Sequence, residues 1–89
     1  MENLTSFTAI DFETANPSPT SACSVALVRV ENNKVIDSFT TLLRPSPFVF
    51  SHWNVEVHGI TEEMCKEAPA FNDIWPKINH WLVIFRGRL

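Results

Sequence analysis

The sequence predicts an α/β fold in which a three-stranded antiparallel sheet is followed by helices. Three features of the chain lead to this prediction. Residues 7–14 form a hydrophobic segment with the composition of a strand. Two further runs rich in β-branched residues, 23–31 and 34–43, are joined through Asn32-Asn33. Apolar residues then recur at helical spacing from Phe71 to Leu82, which is typical of an amphipathic helix.

The first predicted strand contains two acids near its end, in the segment Phe7-Thr8-Ala9-Ile10-Asp11-Phe12-Glu13-Thr14. Because successive side chains of a strand point to opposite faces, we expect Asp11 and Glu13 on one face and Phe12 on the other. Their Cα atoms would lie roughly 6.5 Å apart, since a strand rises about 3.3 Å per residue. Two carboxylates at this spacing can converge on one divalent cation or on a close pair. The alternative is that the strand ends at Ile10 and both acids are solvated turn residues.

The second and third predicted strands form a hairpin. Asn tolerates the left-handed conformation that a two-residue hairpin turn requires, so Asn32-Asn33 is the predicted turn. Arg44-Pro45-Ser46-Pro47 ends the third strand, because proline has no N–H to donate to a sheet. Residues 15–21, which follow the acids, are rich in turn-forming residues and are predicted as an exposed loop.

The remaining chain is predicted as loops and two helices. Phe48, Phe50 and Trp53 lie in a segment without periodicity and are expected to fold back over the sheet. A loop at residues 57–61 leads into a short helix that Thr61 caps, with Glu62 and Glu63 in its first turn. The amphipathic helix begins at Asn72 or just before it, with Pro76 near its first turn. Its apolar stripe is expected to be core rather than cofactor contact, and residues 83–89 are predicted to begin as a strand and then stop.

Composition restricts the class of protein. A chain of 89 residues is at most one small domain. Its net charge of −3 and pI of about 5.5 provide no general basic surface for nucleic acid, so a polyanion would be bound through a metal. Cys23 and Cys65 lack the spacing of a zinc site or a disulfide framework, which favours reduced thiols in the cytoplasm. No apolar run approaches the ~18 residues of a membrane span, so no membrane partner is expected.

The order of these features resembles the amino-terminal half of the DnaQ-like (DEDDh) 3′–5′ exonucleases, which include the proofreading ε subunit of bacterial DNA polymerase III. Ile10-Asp11-Phe12-Glu13-Thr14 is similar to the first exonuclease motif. Val57-His58-Gly59-Ile60-Thr61 is similar to the loop after the third strand, and the helix around Trp75 to Leu82 follows it. The resemblance covers residues 6–82. It implies a ribonuclease H-like fold, here partial.

The resemblance also implies an activity. Such enzymes remove nucleotides from a 3′ end with two Mg²⁺ or Mn²⁺ ions, which four carboxylates hold, while a histidine acts as general base. By this resemblance Asp11 and Glu13 are catalytic metal ligands. Phe12, Thr14 and Ala15 would line the terminal nucleotide, and Val57 and His58 would pack on its sugar and base. The implied partner is a single strand with a free 3′ end, with DNA favoured over RNA, and association with a polymerase or with a second copy is a further possibility.

The chain departs from this family after Leu82. Residues 83–89 contain no acid, so the second and third exonuclease motifs are absent and two of the four carboxylates are present. His80 does not replace the general base, because it lies upstream of the place where that residue belongs. Residues 1–89 are therefore predicted to be a single incomplete exonuclease domain, inactive alone. A truncation, a frameshift and a natural remnant all remain open.

Two alternatives to an exonuclease remain at this point. The first is a non-catalytic module that binds metal, a nucleic acid strand or another protein. The second is a phosphatase of the haloacid dehalogenase type, in which an Asp at the end of the first strand is the nucleophile and an acid two residues later is the general acid. Against the phosphatase, that family has Asp at the second position and follows the motif with helical crossovers, whereas a hairpin follows here.

Overall fold

The computed structural model describes residues 5–86, which form one antiparallel sheet followed by three helices. The strands are β1 (Phe7–Thr14), β2 (Ala22–Glu31) and β3 (Lys34–Leu42), in the order β1-β2-β3. The helices are α1 (His52–His58), α2 (Glu62–Cys65) and α3 (Phe71–Arg86). This architecture confirms the predicted fold class.

The hairpin between β2 and β3 forms at the predicted turn. Glu31 pairs with Lys34, and both intervening residues are left-handed, with φ of 53° at Asn32 and 67° at Asn33. Asn33 also holds the start of the described chain, because its backbone N–H donates to the Thr5 carbonyl (3.0 Å) and its Oδ1 accepts from the Thr5 N–H (2.9 Å). Two asparagines therefore set the hairpin turn.

The sheet has two different faces. In the β1–β2 register Phe12 pairs with Val25, whereas Asp11 pairs with Ala26. Paired residues share a face, so Phe12 and Val25 lie on one side, here called the helix face, and Asp11 lies on the other, here called the acidic face. On the helix face, α3 packs against the sheet in a core made by Val25, Leu27, Leu43, Ile74, Ile78, Trp81 and Leu82. The acids therefore lie on the side away from α3.

Helix α3 is longer than predicted, and the strand expected from Val83 is wrong. The helix continues through Arg86 because Phe85 extends its apolar stripe and is 5% exposed. The Phe85 ring lies 4.6 Å from the Trp81 ring and beneath the Arg29 guanidinium, so packing outweighs the β preference of Val83 and Ile84. Pro76 is the sixth residue of the helix and lies beyond its first turn. Residues 87–89 of the predicted strand lie outside the described residues.

The segment after β3 also differs from the prediction. Trp53 does not cover the sheet but is 72% exposed on α1, whereas Phe48 and Phe50 pack against a second cluster of Ala15, Cys23 and Cys65. Val57 and His58, expected in a loop, form the last turn of α1. Gly59 ends this helix in the left-handed conformation (φ 74°), and its N–H donates to the Val55 carbonyl at 2.7 Å.

Helix α2 begins as predicted. The Thr61 hydroxyl accepts from the Met64 N–H (3.3 Å), and Glu62 and Glu63 lie in the first turn. Its last residue, Cys65, is buried and its thiol donates to the Cys23 carbonyl at 3.6 Å. Across residues 5–86, none of the helices is long and apolar enough to cross a membrane.

Candidate active site

The structure brings Asp11 and Glu13 together on the acidic face, as the alternation of β1 predicts. Asp11 is exposed and Glu13 is half-buried. Their partners on β2 are Ala26 and Ser24, whose small side chains leave the space above the acids open. The strand continues to Thr14, so the alternative in which it ends at Ile10 is wrong. Two carboxylates are thus available to a ligand approaching this face.

Cys23 lies beside Glu13 on the neighbouring strand. Burial raises the pKa of the Cys23 thiol to about 11, and the charges of Cys65 and Glu13 act in the same direction. Burial also raises the pKa of Cys65. The Cys23 sulfur is 3.9 Å from His58 Nε2, which places the end of α1 next to this part of the sheet. Glu13 therefore borders a junction between β2 and α1.

The end of β1 is bonded to α1 through one carbonyl. The Asn54 amide donates from Nδ2 to the carbonyl oxygen of Thr14 at 3.0 Å, and His58 Nε2 is 2.9 Å from the same oxygen. Asn54 Nδ2 is also 3.4 Å from the Thr14 hydroxyl. Thr14 directly follows Glu13, so this contact fixes the backbone next to the second acid.

The second ring nitrogen of His58 settles its tautomer. The Ile60 N–H donates to Nδ1 at 2.9 Å, so Nδ1 carries a lone pair and the ring proton is on Nε2. Nε2 is therefore the donor to the Thr14 carbonyl. Both ring nitrogens are used within the fold, and a hydrogen bond from this ring to a substrate would require one of these bonds to break.

The segment after the acids is more ordered than the predicted exposed loop. Asn16 and Ser21 are buried within it. The Ser21 hydroxyl oxygen lies 2.8 Å from the Asn16 carbonyl and 2.7 Å from the Ser18 carbonyl, and its single O–H donates to one of them at a time. The Asn16 amide donates to the Val49 carbonyl at 2.7 Å. The Ser51 N–H donates to the Ala15 carbonyl at 2.8 Å. The chain that leaves the acids is thus bonded to residues 49–58.

The predicted substrate residues are divided between several environments. Phe12 lies on the helix face, where it and Thr14 line a cavity of about 560 Å³. Ala15 is fully buried, whereas Val57 is 69% exposed. If Phe12 or Ala15 contacts a substrate beside the acids, backbone atoms of these residues would therefore make the contact. The contacts of these residues and of His58 with a nucleotide stay predictions.

Asn54 and Asn16 are the residues of this region that sequence reasoning missed. Neither is part of a motif with a recognisable spacing, and α1, which carries Asn54, contains no buried residue. A short helix without an apolar stripe gives no signal in the sequence. Only the fold shows that the Asn54 amide bonds to Thr14 and that the Asn16 amide bonds to the carbonyls of Pro47 and Val49.

The donors on the acidic face suit a hard cation only in part. Carboxylate oxygens are the ligands that Mg²⁺ and Mn²⁺ prefer. Within residues 5–86, however, no group of three or more His, Cys, Asp or Glu side chains is arranged to hold a metal ion. In the part of the chain that the structure describes, the acidic face thus offers two carboxylates rather than a complete set of metal ligands.

Comparison with known proteins identifies the family. The sequence profile of the RNase_T exonuclease family matches residues 8–85, a range that includes both acids and α1. The chain belongs to this exonuclease family. Membership confirms the resemblance to exonucleases and sets aside the phosphatase alternative.

Curated relatives of the chain are PolC-type DNA polymerases III. The chain is 30% identical over 78 residues to the protein of Thermotoga petrophila and 30% identical over 73 residues to that of Caldanaerobacter subterraneus subsp. tengcongensis. These matches cover 85% and 80% of the chain but only 6% and 5% of the polymerases. The chain therefore corresponds to a small part of each relative.

A solved structure has the same fold. It is described as "3'-end specific recognition of histone mRNA stem-loop by 3'-exonuclease", and it aligns with a TM-score of 0.76 and 19% identity. The alignment covers 97% of this chain and 42% of that one. The fold of this chain is thus the ribonuclease H-like fold of that 3′-exonuclease, over less than half of its length.

Proposed function

We propose that this chain is part of a 3′–5′ exonuclease domain that hydrolyses phosphodiesters at nucleic acid 3′ ends with two divalent metal ions. The observation that carries the proposal is the placement of Asp11 and Glu13 on one open face of β1, inside the region that matches the exonuclease family. Divalent ions neutralise the charge that develops on the attacking and leaving oxygens during hydrolysis. An acidic protein can therefore act on a polyanion without a large basic surface.

Asp11 and Glu13 would hold the Mg²⁺ or Mn²⁺ ions from one side. Because residues 5–86 provide no third ligand in this arrangement, the remaining carboxylates and the general base would be supplied by groups other than these two acids. The substrate would be a single strand with a free 3′ end, DNA rather than RNA, and the polymerase relatives favour a role beside a DNA polymerase in proofreading.

Titration with Mn²⁺ tests the metal site. We expect weak binding to the unsubstituted chain that is lost in Asp11→Asn, because this change removes a charged ligand without removing bulk. Asp37→Asn is the matched control. Asp37 is an exposed acid of β3 that lies opposite Arg29 in the strand register, on the helix face. Equal binding to the two variants, or no binding to the unsubstituted chain, would contradict the proposal.

A non-catalytic module is the second candidate, and the incomplete set of ligands favours it. Degradation of a 5′-labelled single strand in Mn²⁺ distinguishes the two. Laddering from the 3′ end that needs metal and Asp11 would show catalysis by these residues together with ligands from a second copy. Metal binding without degradation, in a chain that is folded by circular dichroism, would support an incomplete or non-catalytic site.

A further inference from the structure

Helix α1 has a function at the acidic face that its sequence does not indicate. Asn54 and His58 lie four residues apart, on one side of the helix, and both reach the carbonyl oxygen of Thr14, at 3.0 and 2.9 Å. We propose that Asn54 and His58 are positioning residues, which hold the end of β1 so that Glu13 and Asp11 can share a divalent cation. This inference rests on the proposed metal site, although the contact itself does not.

The two donors account for the whole accepting capacity of one oxygen. A carbonyl oxygen has two lone pairs, and Asn54 and His58 occupy them both. The contact lies where the β1–β2 register shifts, between Glu13 and Thr14. The extra residue at this point is Cys23 on β2, and it interrupts the pairing between the two strands. The backbone that carries Glu13 therefore needs support from outside the sheet at this point, and α1 provides it.

The residues after α1 orient the His58 ring. Gly59 adopts a left-handed conformation, which turns the chain so that the Ile60 N–H reaches Nδ1 at 2.9 Å. This bond leaves Nε2 as the protonated nitrogen that faces Thr14. The order His58-Gly59-Ile60 thus explains how one imidazole becomes a fixed donor. The hydrogen bonds of His58 thus give this segment a structural role that does not depend on contact with a substrate.

Positioning residues affect metal affinity without touching the metal. Groups that orient metal ligands typically change affinity by 10–100-fold when they are replaced. Asn54 and His58 are both half-buried, and each bonds backbone rather than a carboxylate, so their removal leaves both acids in place. Their loss should therefore weaken the binding of Mn²⁺ rather than abolish it.

Four variants test the proposal. Asn54→Leu keeps the bulk of the side chain and removes its donor. His58→Asn places an acceptor near Ile60 but does not reach Thr14, whereas His58→Gln places an amide N–H where Nε2 lies. Asn79→Leu, on the exposed side of α3, is the control for the same substitution elsewhere.

The readouts are the affinity for Mn²⁺ and the NMR signals of the Thr14 carbonyl carbon and the Glu13 amide. We expect about tenfold weaker Mn²⁺ binding in Asn54→Leu and His58→Asn, and changes within about twofold in His58→Gln and Asn79→Leu. The Thr14 carbon and Glu13 amide signals should shift in the first two variants, because a hydrogen bond to Thr14 is lost. Rescue by His58→Gln would separate positioning from general loss of packing.

Two results would overturn the proposal. One is Mn²⁺ affinity that stays within twofold in both Asn54→Leu and His58→Asn while the Thr14 signal shifts, because the contact would then be present without affecting the acids. The other is unchanged Thr14 and Glu13 signals in both variants, because the strand end would then not depend on α1. If the unsubstituted chain bound no Mn²⁺, the proposed function would fail, and the two NMR signals alone would still decide whether Asn54 and His58 hold this strand end.

Discussion

At the scale of single residues, a period of two along β1 was sufficient to predict the acidic pair. Asp11 and Glu13 alternate with apolar residues, and the register with β2 places both on the same face. The environment of each acid was not predictable, because it depends on residues far away in the chain. Glu13 is half-buried, and its charge acts on the pKa of Cys23, which in turn lies 3.9 Å from His58; these two residues are 10 and 45 positions further along the chain.

Cys23 provides a prediction about pH. Burial, then the charges of Cys65 and Glu13, raise its pKa from 9.0 to about 11. Because the pKa in the folded state is above that in the unfolded state, the stability from the neutral thiol is fully present below about pH 9. It is lost as the pH rises towards 11. We expect the free energy of unfolding to fall across this range, and to fall less steeply in Cys23→Ala.

Urea unfolding between pH 8 and about 10.5, followed by circular dichroism, measures this effect. All other titratable groups are the same in the two proteins, so the difference between the two slopes isolates the thiol. Identical slopes for Cys23→Ala and the unsubstituted chain would contradict the burial of this thiol.

At the scale of elements, the hairpin was predictable and α1 was not. Asn32-Asn33 is a local signal, because Asn tolerates the left-handed conformation that both residues adopt. Helix α1 has no apolar stripe and no buried residue. Its contacts include the hydrogen bond from the Gly59 N–H to the Val55 carbonyl at its end and the bonds of Asn54 and His58 to Thr14. A pattern of hydrophobicity cannot reveal an element that is fixed by polar contacts.

Helix α3 shows the opposite case, in which a local signal was misleading. Val83 and Ile84 favour a strand by their β branching, and both remain half-exposed on the helix. Phe85 packs under Arg29, which belongs to β2, so the preference for a helix arises between elements distant in sequence. Residues 83–86 alone therefore do not predict where this helix ends.

The hairpin turn provides a prediction about stability. Asn32 has φ of 53°, a conformation that costs about 1–2 kcal/mol for residues other than Gly, Asn and Asp. We expect Asn32→Val to lower the free energy of unfolding by about this amount and Asn32→Gly to leave it nearly unchanged, as measured by urea unfolding. A Val variant as stable as the Gly variant would show that the turn adopts another conformation.

At the scale of the whole molecule, the sheet places the main core and the two acids on opposite faces. The helix face makes the core with α3, while Ala15, Cys23 and Cys65 form a second cluster. Among residues 5–86, β1 pairs with β2 alone, and Ile10 and Phe12 are 47% and 45% exposed on the helix face. An open strand edge with apolar side chains favours association. Self-association of the chain therefore stays a prediction.

The family relationship fits this arrangement. The chain spans 42% of the 3′-exonuclease structure that it resembles, and 5–6% of the PolC-type polymerases. The first strand and its two acids lie within the matched region, so the acidic face is the part of the molecule through which metal chemistry would operate.

Broadening of backbone amide signals by a small fraction of Mn²⁺ tests the central claim most directly, because it locates the bound ion. We predict the strongest broadening at residues 10–14 and 24–26, which surround Asp11 and Glu13 in the sheet register, and a weaker effect towards the Asn32-Asn33 turn. The pattern should disappear in Asp11→Asn and persist in Asp37→Asn. Strongest broadening at the exposed acids of α2, or an unchanged pattern in Asp11→Asn, would contradict a metal site on the acidic face.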